Sequence, residues 1–280
     1  MNKTILVMLF LLTGSSIFLF YPLKGQAEEE EEEEGRKQLV QELFLTEVVY
    51  PQEMGEVQFT LWPTYFSGEE LSFFDLALTI EYGITNHLQL ETTWLGYTQS
   101  FPKEEELQGK AGIGDLEVGV KYTFEEIRAW ELQIAVGLEG YLPVGTKVLS
   151  INAYYVEPFI VFSKYFGHFL DIQLNVGYGF KVSERNVNND EFEIEQEEPV
   201  DELEVNAGVI YAVSNSWRTT LEINFEKGDD TILFILPGIV WQGLGLLEVG
   251  LGVPVGLTPE SPSWAVMSMI TYEFEMPWAD

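Results

Sequence analysis

From about residue 56 onward the chain alternates between apolar and polar positions. In GIGDLEVGVKYTF, residues 112–124, Leu116, Val118, Val120, Tyr122 and Phe124 share one parity, while Asp115, Glu117, Gly119, Lys121 and Thr123 share the other. A period of two places the two sets on opposite faces of a β-strand. About twelve such stretches follow one another, near 56–66, 72–83, 87–99, 114–124, 130–142, 152–163, 168–181, 202–213, 216–227, 231–241, 245–255 and 263–274. No comparable stretch carries a helical period. The pattern predicts an all-β chain whose residues 55–274 form a single up-and-down antiparallel barrel.

The connections add direction. The gaps at 83–87, 125–129, 164–168 and 214–216 are tight, whereas 100–113 and 182–201 are longer and polar. A transmembrane barrel has short turns at its periplasmic end and longer loops outside. With twelve strands, both termini fall at the short-turn end, predicted to be periplasmic.

Parity alone does not say which face is inside, because a soluble barrel or sandwich shows the same alternation with its apolar set inward. Ring placement favours a bilayer. On the apolar parity Tyr82, Phe124, Trp130, Phe162, Trp217, Trp241 and Phe274 lie near the short turns, and Tyr65, Phe74, Trp94, Tyr154, Phe180, Phe225 and Trp264 near the longer loops. The strand middles, such as Leu132-x-Ile134-x-Val136, are aliphatic. Two ring girdles around an aliphatic band suit a membrane with two interfaces.

The opposite parity supplies the candidates for a lumen: Asp75, Glu81, Glu91, Asp115, Glu117, Lys121, Glu131, Glu139, Glu157, Asp171, Glu204, Arg218, Glu222 and Glu248. A charge at mid-bilayer costs roughly 2.5–3.5 kcal/mol on the insertion scale. Turning even half of these residues to lipid would be prohibitive. For Asp115 a second role stands beside lumen lining, that of a turn-stabilising side chain bonding nearby backbone.

The termini and the composition narrow the class. Lys3, an apolar run from Ile5 to Leu12, a second patch from Ile17 to Tyr21, and Gly25-Gln26-Ala27 read as an export signal over 1–27, the alternative being a retained anchor of marginal spanning length. The chain has no cysteine, so no disulfide supports it after export. Its formal charge is −32, which disfavours nucleic acid as a partner, since phosphate binding needs a basic surface. Seven consecutive glutamates, Glu28–Glu34, open an acidic segment over 28–54 for which like-charge repulsion predicts an unfolded start. Whether that segment folds back as a plug is left open by composition. Residues 275–280 form a short tail.

Two resemblances add to this reading. The last strand, AVMSMITYEF, ends on Tyr-x-Phe and resembles the C-terminal targeting strand that the barrel-assembly machinery of bacterial outer membranes reads, although EMPWAD follows Phe274. The blocks EYGITNHLQLE, residues 81–91, and GIGDLEVGVKYTF resemble the paired signature of an outer-membrane transporter family linked to the phenol-degradation meta pathway. In that family a tight Gly-x-Thr-Asn/Asp turn joins two strands and a Gly-Asp-Leu strand follows. The resemblance implies a barrel in the outer membrane of a Gram-negative-type bacterium, and passage of aromatic or other small hydrophobic compounds.

Chemistry is sparse. A Ser-His-acid hydrolase needs a histidine beside its nucleophile, and the chain has only His87 and His168, both in expected short turns. No catalytic residue, metal ligand set or cofactor is expected. The loop 182–201 carries Asp190, Glu191, Glu193, Glu195, Glu197 and Glu198, hard oxygen donors without the spacing of an EF-hand; it reads as a solvated acidic loop, with weak cation bridging to lipopolysaccharide as the alternative. The expected partners are outer-membrane lipid and lipopolysaccharide, the assembly machinery and a small solute. The expected function is a channel or transporter for small solutes through an acidic lumen preferring cations or neutral molecules. A non-conducting structural or interaction barrel is the alternative, and a lipid-modifying enzyme the third reading.

Overall fold

Strict alternation fixes the register of each strand pair, and here the register carries the sheet round until it closes on itself. The computed structural model describes residues 38–68, 70–103, 108–185, 200–243 and 246–276. The expected signal peptide, the glutamate run, most of the acidic loop 182–201 and the last four residues lie outside the described residues.

The strands are β1 (Glu56–Ser67), β2 (Leu71–Thr85), β3 (Leu88–Pro102), β4 (Ala111–Gly112), β5 (Leu116–Thr123), β6 (Leu132–Leu142), β7 (Ala153–Phe166), β8 (Leu170–Glu184), β9 (Glu202–Ala212), β10 (Trp217–Lys227), β11 (Thr231–Gln242), β12 (Leu247–Gly252), β13 (Val255–Gly256) and β14 (Trp264–Glu275). Every pairing is antiparallel. The two-residue β4 pairs with β3, and β13 lies between β11 and β14 beyond the end of β12. The remaining twelve form the wall, and β1 pairs with β14 from Glu56↔Glu275 to Ser67↔Trp264 to close it. The stretch expected as one strand over 245–255 is thus two, interrupted at Val253-Pro254, where proline cannot donate to the ladder.

Most strands run 11–15 residues, enough for the roughly 9–11 that a tilted transmembrane strand needs. The connections 86–87, 124–131, 167–169, 213–216 and 243–246 share one end with the two barrel termini, Glu56 and Glu275. The other end carries 68–70, 103–115, 143–152, 185–201, 228–230 and 253–263.

The two faces have the polarity of a membrane barrel and the reverse of a soluble one. Leu90, Val118, Leu138, Leu174, Leu221, Ile223, Leu251 and Ile270 are exposed on the outside. Exposed rings flank them: Tyr82, Tyr122, Phe124, Trp130, Phe166, Tyr211, Trp217 and Tyr272 at the short-connection end, and Trp94, Phe101, Tyr154, Tyr178, Phe180 and Trp264 at the other. Gln58, Glu81, Gln89, Lys121, Asp171, Gln173, Arg218, Glu222 and Glu248 are buried within.

Residues 38–54 depart from expectation. An unfolded start is expected there, yet residues 38–52 lie inside the barrel, with Glu53 and Met54 exposed at its end. Composition failed because the charge run upstream outweighed the apolar residues that follow it. Leu39, Val40, Leu43, Phe44, Val48 and Val49 are all buried, and Leu39 to Val48 form one cluster with Ile210, Leu236, Val240, Met267 and Met269 on the inner wall. These inward apolar residues interrupt an otherwise polar lumen. They give β11 and β14 apolar residues on both parities, one set for lipid and one for the inserted segment.

Candidate functional site

The inserted segment forms no strand, so its backbone must find other partners. The wall supplies them as side chains. Glu222, fully buried, accepts hydrogen bonds from three successive amides: Phe44 N–H at 2.9 Å, Leu45 N–H at 2.9 Å and Thr46 N–H at 2.8 Å. Asn206 Nδ2 donates to the Leu45 carbonyl at 3.0 Å. Glu248 accepts from Gln41 N–H at 3.0 Å, and the Leu39 carbonyl accepts from Arg218 Nε at 3.0 Å and from Gln242 Nε2 at 2.9 Å.

Nearer β1, Thr123 donates to the Val49 carbonyl at 2.7 Å, and Gln89 Oε1 accepts from Gln52 N–H at 2.8 Å. Tyr50 donates to Asp171 at 2.9 Å; Asp171 also accepts from Ser163 at 2.8 Å and Gln173 at 2.7 Å. Lys121 pairs with Glu47 and donates to the Val48 carbonyl at 2.9 Å. Glu81 gathers Gln52, Gln58 and Gln89.

Above this segment, toward the end with the longer connections, lies a cavity of about 440 Å³. Glu42–Glu47 supply its floor. Its walls include Trp62, Thr64, Phe66, Asp75, Glu91, Glu117, Glu139, Tyr141, Glu157, Phe159, Asn175 and Glu204. Eight carboxylates line it, from Glu42, Glu47, Asp75, Glu91, Glu117, Glu139, Glu157 and Glu204, and among the lining residues there is no lysine or arginine. The rings of Phe44, Trp62, Phe66, Tyr141 and Phe159 share the same surface. Burial raises the Glu42 carboxyl well above the ordinary carboxylate range, and the negative charges of Glu81, Glu47 and Glu91 push it the same way.

The fourteen residues expected to face the lumen therefore divide into groups. Asp75, Glu91, Glu117, Glu139, Glu157 and Glu204 line the cavity. Glu81, Lys121, Asp171, Arg218, Glu222 and Glu248 face inward but are engaged in seating the segment. Two do neither. Glu131 is exposed in the 124–131 connection with φ of 50°, because β6 begins only at Leu132 and the alternation does not extend into the turn. Asp115 clasps the 143–152 connection, accepting from Gly145 N–H at 3.0 Å, Ser150 Oγ at 3.0 Å and Ile151 N–H at 2.9 Å. It acts as the backbone-bonding side chain that was its second role. The lumen residues that parity did not single out are amides and hydroxyls, among them Gln58, Gln89, Gln173, Asn206 and Gln242; their sequence signal was position in the alternation, without the charge that drew attention to the acids.

His87 and His168 stand in the short connections. His87 Nδ1 lies 3.1 Å from the Thr123 carbonyl and Nε2 lies 3.1 Å from Glu125, while His168 is exposed. No nucleophile–base pair is formed at His87.

No protein-family model and no curated protein sequence matches the chain. Solved structures match its fold. An outer-membrane channel from Pseudomonas putida F1 superposes with a TM-score of 0.62 at 13% identity, covering 81% of this chain and 98% of that one. The NanC porin gives 0.54 at 9% identity, covering 78% and 100%. The KdgM porin gives 0.50 at 11% identity, covering 79% and 99%. Twelve antiparallel strands closed by β1 and β14, with lipid-suited residues outside and polar residues within, give this chain the porin-like fold of outer-membrane β-barrel channels.

Proposed function

We propose that the protein is an outer-membrane channel for small solutes, selective for cations and neutral molecules over anions. The observation that carries this reading is the cavity: about 440 Å³ enclosed by the barrel wall, lined by eight carboxylates and no basic side chain. Rings of carboxylates concentrate cations and repel anions in a narrow pore. The interleaved Trp62, Phe66, Tyr141 and Phe159 extend the class of solute toward small aromatic or hydrophobic compounds, since rings offer apolar contact and their faces attract organic cations.

On this reading the outer apolar belt meets outer-membrane lipid, with lipopolysaccharide at the end bearing the longer connections. The short-connection end is periplasmic, and β14 carries the assembly signal. Planar-bilayer recordings under a salt gradient test the proposal. Reversal potentials on the potassium side are expected. Potentials favouring chloride overturn the charge assignment, and a barrel that stays silent even without residues 38–52 overturns the channel.

A specific observation favours a second reading, the non-conducting barrel: residues 38–52 are packed within the lumen toward the short connections. The same recordings separate the two readings, because a structural barrel gains no current when the segment is removed.

A further inference from the structure

The inserted segment has a geometry that permits its withdrawal. Both of its ends lie at the short-connection end of the barrel. At one, Gly55 N–H bonds the Gly83 carbonyl at 2.9 Å and Met54 N–H bonds Asn86 at 3.0 Å, beside the 86–87 turn. At the other, the Leu39 carbonyl is held by Arg218, just after the 213–216 connection, and by Gln242, just before 243–246. The segment is therefore a re-entrant loop that threads nothing. It can leave without a single wall strand unpairing.

The manner of its attachment agrees. Among the described residues, the bonds from 38–52 to the wall run through side chains, as at Glu222 and Asn206, and no β-ladder joins segment to wall; the first backbone–backbone bond to a strand is Glu56 N–H to the Glu53 carbonyl at 3.0 Å, at the base of the loop. Such bonds exchange for water one at a time, and the polar wall left behind is one that water can solvate. The apolar part of the seat is a notch. Cβ atoms added at Gly238, Gly250 and Gly252 would stand 2.5, 3.0 and 3.0 Å from the Phe44 ring and slightly closer to Thr220, Met269 and Leu236 of the wall, so three glycines on neighbouring strands make room for Phe44 together with the wall side chains beside it. On its far side the same segment supplies Glu42–Glu47 to the cavity, so the space for solute ends on it.

We propose that residues 38–54 are a displaceable gate: the structure is the closed state, and withdrawal of the loop toward the short-connection end joins the acidic cavity to that end. The proposal rests on the channel reading and adds how the channel opens. The polar wall holds the loop in register through its side chains, and the seating of Phe44 in the glycine notch sets how often it leaves.

The absence of native cysteine allows a clean lock. Thr46 Oγ1 and Asn224 Nδ2 lie 3.5 Å apart, so Thr46→Cys with Asn224→Cys ties the loop to β10. In planar bilayers the wild-type chain and the reduced double variant are expected to open and close. Oxidation of the double variant should abolish the openings, and reductant should restore them. Phe44→Ala, which empties the notch and leaves the Phe44 N–H to Glu222, should raise the open fraction by about tenfold or more, the scale set by losing the burial of one ring. Openings that persist with the disulfide formed overturn the gate while leaving the channel intact. Silence of the wild-type and reduced chains, with current only when residues 38–52 are deleted, marks a fixed plug and also overturns the gate. Silence of the deleted chain, migrating as a folded barrel on a heat-modifiability gel, removes the channel reading itself.

Discussion

Glu222 has no salt-bridge partner among the described residues and is nonetheless fully buried, held by the amides of Phe44, Leu45 and Thr46. Hydrogen bonds to an ionised acceptor are among the stronger ones, and removing the acceptor leaves several donors facing an apolar surround. Glu222→Leu is expected to cost roughly 1–3 kcal/mol for each donor that finds no water. Hydrogen exchange at residues 44–46 should read this as lost protection there, with the strand amides of β9 and β10 unchanged. Asp115 uses the same chemistry on a different loop, gathering the 145–151 backbone. These two acids are alike in sequence, each on the polar parity of a strand or its edge. Which one meets a partner from across the barrel and which meets a neighbouring connection depends on chain segments 176 or more residues away in one case and about 30 in the other.

At the scale of the strand, alternation was enough to locate the elements, because a one-residue slip would turn carboxylates to lipid along a whole strand. Ile223, in the middle of β10, is 49% exposed on the outer face between Leu221 and Phe225. Ile223→Arg should lower folding stability by about 2–4 kcal/mol at the midplane, measured as a shifted denaturant midpoint for insertion into lipid vesicles. An unchanged midpoint would show that this face does not meet hydrocarbon. The reading from sequence was weakest where alternation stopped being informative. Turns lie outside the pattern, which is why Glu131 was drawn inward from a connection. Strands β11 and β14 are apolar on both parities, and that excess was a trace of the inserted segment: Leu236, Val240, Met267 and Met269 are inward and apolar because Leu43, Phe44 and their neighbours pack there.

At the scale of the molecule, the cavity is the part of the acidic lumen that the segment leaves unfilled. Selectivity should therefore follow the cavity carboxylates and not the acids committed to the seat. Replacing Glu117, Glu139 and Glu157 together by glutamine is expected to move the reversal potential toward zero in the salt-gradient recordings, while pore lifetime stays near that of the wild type. A potential that does not move would place the selectivity elsewhere. All three residues line the cavity, and none holds the backbone of residues 38–54.

By itself the sequence determined the twelve wall strands, their order and which residues share each face, because these follow from a period of two. Only the tertiary structure decided what fills the interior. The path of residues 38–54 is set by non-local bonds to side chains on several strands, and by a glycine notch assembled from β11 and β12, and no local pattern in an acidic leader encodes such a meeting.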